Sequence, residues 1–205
     1  MITMYLALGV LITRRPLILA TGVALGIATR ACAADEESAL ITRDTRCLRY
    51  YGPIESKSLL TLNSILCDMS EESDDPIHLH IQSPGGELIP ALYTSDLIES
   101  LSPQVHTYVD GLCASAATLL TVAGNVRHMS KNSIFMIHQL SSVQAGTYNE
   151  LTQALKNSDV LMDKLTNIYT KRSNLDLPEL KQLLAIDKYL DSDTCLQYGL
   201  IDIID

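Results

Sequence analysis

Short apolar runs alternate with helix-like stretches along the chain from about residue 45. One run, residues 77–81, carries aliphatic side chains at every second position, so these side chains share one face of a strand. Runs typical of strands occur at residues 47–51, 77–81, 105–109, 126–129 and 134–137, and helical spacing occurs at 54–69, 88–101 and 116–123. Strands that alternate with helices predict a layered α/β domain with a largely parallel sheet.

The longest periodic segment predicts a helix at residues 147–172. Its apolar side chains form one stripe at helical spacing: Leu151, Leu155, Val160, Met162, Leu165, Ile168 and Tyr169. This helix is longer than a small sheet needs for cover, so we expect part of it to protrude and to meet another subunit. A break at residues 174–177, followed by Pro178 in a first turn, predicts a final helix to residue 184.

The first 34 residues differ in composition from the rest of the chain. They contain no Asp or Glu, carry Arg14, Arg15 and Arg30, and hold two apolar stretches. The second stretch is shorter than the roughly 20 residues that a membrane span needs. Residues 1–34 therefore predict a cleavable export or transit segment, with an uncleaved membrane anchor as the alternative. With 47% apolar residues in all, residues 35–205 are predicted to form a single domain.

Charge and cysteine content exclude several classes of partner. The formal net charge is −9 and no basic cluster exceeds Arg14-Arg15, so nucleic acid is not expected as a ligand. The five cysteines are odd in number and never stand at the CxxC spacing. They predict neither a zinc site nor a disulfide framework, and they are typical of buried thiols in a reducing compartment.

Three residues with the chemistry of a hydrolase stand at the ends of apolar segments. Ser115 ends the segment Gly-Leu-Cys-Ala-Ser, His138 follows the run at 134–137, and Asp187 comes late in the chain. Each alone more often has an ordinary role, as a helix cap, a structural imidazole or a solvated turn residue. Together they predict nucleophilic hydrolysis, because a serine hydroxyl needs an imidazole to take its proton and a carboxylate to orient that imidazole.

The segment Ser-Pro-Gly-Gly at residues 83–86 directly follows the strand predicted at 77–81. Paired glycines permit a tight turn and expose backbone N–H groups that could meet an oxyanion. By itself such a segment is more often a turn without function. The helix predicted after Ser115 would also direct its positive end at developing negative charge.

The combination of these motifs resembles the proteolytic subunit of the Clp ATP-dependent protease. The Met-Ile-His-Gln segment around His138 and the terminal Tyr-Gly-Leu-Ile-Asp strengthen the resemblance, which covers residues 45–205. Carried over by position, it implies that Ser115 is the nucleophile, His138 the general base and Asp187 the residue that orients the base. It also implies an oxyanion hole formed by the backbone N–H groups of Gly86 and Ala116.

The resemblance further implies a crotonase-like layered β/α superhelix with residues 147–172 as a protruding handle helix. In the family, handle helices pack two seven-membered rings into a barrel that hides the active sites. The implied partners are further copies or related subunits, unfolded polypeptides and a Clp ATPase of the AAA+ class. No cofactor is implied, since ATP would be hydrolysed by the partner, and the compartment would be the cytoplasm or an organelle such as a plastid.

Several positions depart from the family pattern. Ala116 replaces the usual Met, Leu140 replaces the usual Pro after Gln139, and the glycine-rich handle strand is reduced to residues 141–146. No segment between residues 35 and 46 matches the family's axial segment. The positions of the apolar ATPase-docking pocket are polar here, namely His78, His80, Tyr108 and Asp110. Burying unpaired polar groups costs about 1–3 kcal/mol each, so we expect weak docking of an apolar loop.

Other functions remain open at this point. The chain could be a weak or inactive Clp-type structural subunit of a hetero-oligomer, or a peptidase that works without an ATPase. A crotonase-fold acyl-CoA enzyme would need no serine nucleophile, and the in-register triad disfavours it. A signal-peptide-peptidase-like enzyme would need a Ser–Lys dyad, and no lysine lies in a comparable motif.

Overall fold

The computed structural model of the protein describes residues 38–205, and within them seven strands alternate with six helices. In chain order these are β1 (Leu40–Asp44), β2 (Cys47–Tyr51), α1 (Ser56–Glu72), β3 (Ile77–Ser83), α2 (Leu88–Ser100), β4 (Val105–Ala114), α3 (Ala117–Val122), β5 (Val126–Met129), β6 (Ile134–Met136), α4 (Tyr148–Arg172), α5 (Leu177–Leu184), α6 (Ser192–Gln197) and β7 (Ile203–Ile204). All five strands and the first three helices predicted from periodicity are present; β2 and β5 have the predicted bounds and the others have shifted ends.

The sheet has the strand order β1-β2-β3-β4-β5-β7, and β6 pairs with the far end of β4. Only β1 and β2 are antiparallel, while every other named pair is parallel. The prediction of a largely parallel sheet is therefore confirmed. The hairpin of β1 and the short β7 were missed, because neither carries a clear apolar pattern.

The strand register builds one apolar face and one polar face. Tyr50, Ile81, Val109 and Met129 lie side by side across four strands, and all four are fully buried. Helices α1 and α3 contact the sheet, and α2 packs against both of them. Burying each large aliphatic side chain contributes about 1.5–3 kcal/mol, so this face forms the core.

β4 is twice the predicted length and changes partners along its course. Its first half pairs with β5, and residues Leu112 to Ala114 pair with β6. At the change of partner, Gly111 has φ +73° and donates its N–H to the Ser133 hydroxyl at 2.8 Å. Ser133 in turn donates to the carbonyl of Val109 at 3.0 Å. These two hydrogen bonds hold β4 together where it changes partners, so that Ser115 follows the strand at the edge of the sheet.

Helix α4 begins after Thr147, which forms a capping box with Glu150. Near its C-terminal end Leu165 and Tyr169 are buried, whereas Leu155 is 69% and Val160 56% exposed in the single chain. The helix therefore extends beyond the core of its own chain. The prediction that the helix ending at residue 184 is the last one is wrong, because α6 follows and packs against β6 and β7.

No helix within residues 38–205 combines the length and the apolar character needed to cross a membrane. The targeting segment predicted at residues 1–34 lies outside the described residues. The boundary between residues 34 and 35 thus stays a prediction.

Candidate active site

Ser115 occupies a strained turn between β4 and α3. Its φ is +56°, a left-handed conformation that costs a non-glycine residue on the order of 1–3 kcal/mol. The turn is held from both sides, because the N–H of Ser115 donates to the carbonyl of Met136 at 2.8 Å and its carbonyl accepts from the N–H of Thr118 at 3.1 Å. These bonds make the hydroxyl project into a cavity rather than cap the helix.

His138 meets Ser115 because β4 and β6 are parallel neighbours whose carboxyl ends lie at the same edge. Its Nε2 lies 2.7 Å from the Oγ of Ser115, within hydrogen-bond distance. The imidazole side chain is 22% exposed. A base placed in this way can accept the serine proton directly.

Asp187 is the third residue predicted for the site, and it lies at its rim. Its Oδ1 is 3.5 Å from Nδ1 of His138, and the side chain is 79% exposed. The loop that carries it is anchored on both sides. Before Asp187, the carbonyl of Leu184 accepts from the N–H of Gln139 at 2.7 Å, and after it Leu190 forms an antiparallel bridge with Phe135. The carboxylate is thus near enough to orient the imidazole, but its separation is longer than a normal hydrogen bond.

The paired glycines lie beside Ser115 as the sequence predicts. Gly86 has φ +150°, and a Cβ there would come within 2.1 Å of the carbonyl oxygen of Ile54. Gly85 has φ +94°, and its Cβ would lie 2.5 Å from the Cβ of Ser115. Within residues 38–205 the N–H groups of Gly86 and Ala116 have no hydrogen-bond acceptor. Both residues line the cavity in front of Ser115, so their N–H groups can receive an oxyanion.

The helix after Ser115 contributes less than its sequence implies. α3 has only six residues, so its macrodipole is small and local N–H groups must supply the electrostatic stabilisation.

The cavity in front of Ser115 has a volume of about 210 Å³. Besides the predicted residues, its walls come from α4, from the start of α2 and from the segment after His138. The sequence did not indicate any of these wall residues as part of the site: Leu88, Gln139, Leu140, Ser141, Leu165 and Tyr169. Only the folded positions of α2, α4 and the segment after β6 could have revealed them.

Cysteine and metal chemistry have no support in the described part of the chain. Cys113 lies two residues before Ser115, but it is fully buried and burial raises the pKa of its thiol to about 12. It therefore stays protonated and cannot compete as nucleophile.

Across residues 38–205, no group of three or more His, Cys, Asp or Glu side chains is arranged so as to hold a metal ion.

The comparison with known families favours the Clp-type classes over the other classes left open by the sequence. The model of the Clp protease family matches residues 16–205. The chain belongs to the Clp protease family. It is therefore a hydrolase of the peptidase type, as the motifs predict.

Solved structures of this family share the fold. A mutant of ClpP1 from Listeria monocytogenes superposes with a TM-score of 0.73 and 22% sequence identity. The match covers 79% of this chain and 92% of that chain. The prediction of a crotonase-like, Clp-type α/β fold is confirmed.

The four polar residues at the expected docking position do lie together, on the face of the sheet opposite the core. The Nδ1 of His78 is 2.8 Å from the Tyr108 hydroxyl, and the Nδ1 of His80 is 2.9 Å from Asp110. Tyr51, which the sequence did not indicate, donates to Asp110 at 2.7 Å. Burial raises the pKa of Asp110, but the bonds to His80 and Tyr51 outweigh it, and the pKa lies below its usual value.

Further rings extend this polar face. Tyr108 is stacked between His80 and His128, with ring centroids 4.4 Å and 4.3 Å apart. His106 packs edge-on against His78 at 5.3 Å. We call this set of His78, His80, His106, Tyr108, Asp110 and His128 the imidazole face.

Proposed function

We propose that the chain is a serine endopeptidase subunit that hydrolyses peptide bonds of unfolded proteins through Ser115, His138 and Asp187. The observation that carries the proposal is the 2.7 Å contact between the Oγ of Ser115 and Nε2 of His138 at a strained, partly buried turn that lines a cavity. Family membership supports it, because the Clp protease family implies a peptidase.

In the proposed reaction the Nε2 of His138 takes the Ser115 proton while Oγ attacks the substrate carbonyl carbon. The N–H groups of Gly86 and Ala116 donate to the oxyanion that forms, and Asp187 keeps the imidazole proton on Nδ1. His138 then protonates the leaving amine, and an acyl group remains on Oγ. A water molecule, deprotonated by the same imidazole, hydrolyses this ester and restores the serine.

The position of Asp187 supports the alternative of weak activity in an isolated chain. A carboxylate that is 79% exposed is well solvated, so it orients the imidazole less firmly than a buried one. Catalytic contacts are often long without substrate and shorten on binding. We propose that this contact tightens in the assembled enzyme.

We propose that the chain assembles into stacked seven-membered rings, with identical or related subunits. The exposed apolar part of α4 supports this, because Leu151, Leu155 and Val160 are 38%, 69% and 56% exposed within residues 38–205. Exposed apolar side chains on a protruding helix are typical of an interface.

We propose that a Clp ATPase of the AAA+ class, if it partners this subunit, docks weakly at the imidazole face. An apolar loop entering there would remove the Asp110 carboxylate and the His78 and His80 imidazoles from water. Their hydrogen bonds to one another, to Tyr51 and to Tyr108 replace only part of that solvation. Cleavage of short peptides without an ATPase is then expected. ATP hydrolysis belongs to the partner, and the subunit needs no cofactor. The compartment, cytoplasmic or organellar, stays a prediction.

The decisive test is reaction with a fluorophosphonate serine probe, followed by mass spectrometry of the labelled peptide. Ser115→Ala should abolish labelling and lower peptide cleavage on the order of 10⁴-fold or more, with assembly unchanged. Ser141→Ala is the matched control, because Ser141 lines the same cavity and is exposed. Labelling of the wild type at another residue would refute Ser115 as the nucleophile, and no labelling at all would favour an inactive Clp-type structural subunit.

A further inference from the structure

A buried chain of hydrogen bonds connects helix α4 to the turn that carries Ser115. Thr118 is fully buried and Tyr169 is 2% exposed. The Oγ1 of Thr118 lies 2.6 Å from the carbonyl oxygen of Ser115 and 2.5 Å from the Tyr169 hydroxyl. A carbonyl can only accept, so Thr118 donates to Ser115 and the Tyr169 hydroxyl donates to Thr118.

The carbonyl of Ser115 is consequently held twice by the same residue. It accepts from the N–H of Thr118 at 3.1 Å and from the Thr118 hydroxyl at 2.6 Å. Because the peptide bond is planar and trans, this carbonyl and the N–H of Ala116 point in opposite directions from one rigid unit. Whatever fixes the carbonyl therefore also fixes the direction of the Ala116 N–H.

That N–H is one of the two donors proposed for the oxyanion. It lies at the cavity and has no acceptor within residues 38–205, so its direction is set by the opposite side of its peptide unit. Tyr169 completes the arrangement, since its phenol is anchored in α4 and its ring lines the same cavity. A buried hydroxyl without a hydrogen-bond partner destabilises the fold, so the Tyr169 hydroxyl should keep its bond to Thr118.

We propose that Thr118 and Tyr169 are positioning residues that hold the Ser115–Ala116 peptide so that the Ala116 N–H meets the oxyanion. The inference rests on the proposed serine peptidase function. It adds a connection from α4 to the reaction, because a shift of this helix would loosen the oxyanion donor through Tyr169.

The test separates orientation of the donor from simple stability. Loss of an oxyanion donor lowers kcat by about 10²–10³-fold, so partial misalignment should cost less. We expect Thr118→Val to lower kcat for peptide cleavage about 30-fold and Tyr169→Phe about fivefold, both with KM nearly unchanged. Thr118→Ser retains the hydroxyl and should restore kcat to within about threefold of the wild type.

A matched control comes from the same helix. Thr121 is fully buried and its hydroxyl lies 3.2 Å from the Cys113 sulfur, away from the Ser115 carbonyl. Thr121→Val should lower the melting temperature about as much as Thr118→Val and leave kcat unaltered. If Thr118→Val does not fold, Tyr169→Phe decides the matter, because it keeps the ring in place.

Two results would overturn the inference while leaving the peptidase function intact. One is a kcat for Tyr169→Phe equal to that of the wild type, and the other is a failure of Thr118→Ser to restore turnover lost in Thr118→Val. A wild type that does not react with the fluorophosphonate probe would instead remove the proposed function itself.

Discussion

A methyl group at residue 85 should inactivate the enzyme by pushing Ser115, the proposed nucleophile, away from His138. In Gly85→Ala the added Cβ would lie 2.5 Å from the Cβ of Ser115 and 2.6 Å from the carbonyl oxygen of Ala114. Carbon atoms in contact lie about 3.5 Å apart, so one side of this contact must retreat by about 1 Å. The hydroxyl now 2.7 Å from His138 would then lose its hydrogen bond.

The expected magnitude follows from that displacement. Misplacing a reacting group by about 1 Å can cost about 10²-fold in turnover. The φ of +94° at Gly85 adds backbone strain of roughly 1–3 kcal/mol for any other residue. We therefore expect Gly85→Ala to be less stable and to lose at least about 100-fold in kcat.

Gly111→Ala is the matched control because it carries strain without a collision. Gly111 has φ +73°, and its Cβ would meet its nearest atom, Oε1 of Gln82, at 3.4 Å. Peptide cleavage, labelling rate with the fluorophosphonate probe and thermal unfolding should be measured for both variants. Equal kcat values for the two, after correction for the folded fraction, would refute a steric link between Gly85 and the nucleophile.

Three further outcomes are expected. The double variant Leu155→Asp, Val160→Asp places two charges in the proposed interface, so it should convert the large assembly to single rings or smaller species. Light scattering measures this, and an unchanged mass would count against a handle role for α4. Casein degradation with ATP and a bacterial-type Clp ATPase should be weak for the wild type and stronger for Asp110→Met with His80→Tyr; robust degradation by the wild type would contradict weak docking. Burial and, secondarily, His128 lower the pKa of His106 below 6.5. The imidazole of His106 therefore has a higher pKa in the unfolded chain than in the folded one, and acid stabilises the unfolded chain. The urea midpoint should fall as the pH drops below about 6.5. His106→Gln should show a shallower fall, and an identical pH profile would show that this imidazole does not control it.

The amino-acid sequence determined most of the local elements and pointed to the family of the protein. The alternation at residues 77–81 was enough to assign both faces of β3, because side-chain period reports directly which face is buried. Ser115, His138 and the paired glycines could be named because each ends an apolar segment, and strand ends in a parallel sheet gather at one edge. The family motifs then pointed to a Clp-type peptidase, which the family match confirms.

Tertiary structure alone decided how these residues are held. Where β4 changes partners, Gly111 donates a hydrogen bond to Ser133. The hydrogen bond between Thr118 and Tyr169 joins positions 51 residues apart. Such contacts leave no periodic trace, since a buried threonine and a tyrosine within an apolar stripe are equally consistent with ordinary core packing. The exposure of Asp187 was also invisible in the sequence, because a loop residue's distance from an imidazole depends on anchors elsewhere in the chain. Periodicity indicates which residues are buried, whereas the direction of the proposed oxyanion donor is set by hydrogen bonds that only the folded chain can form.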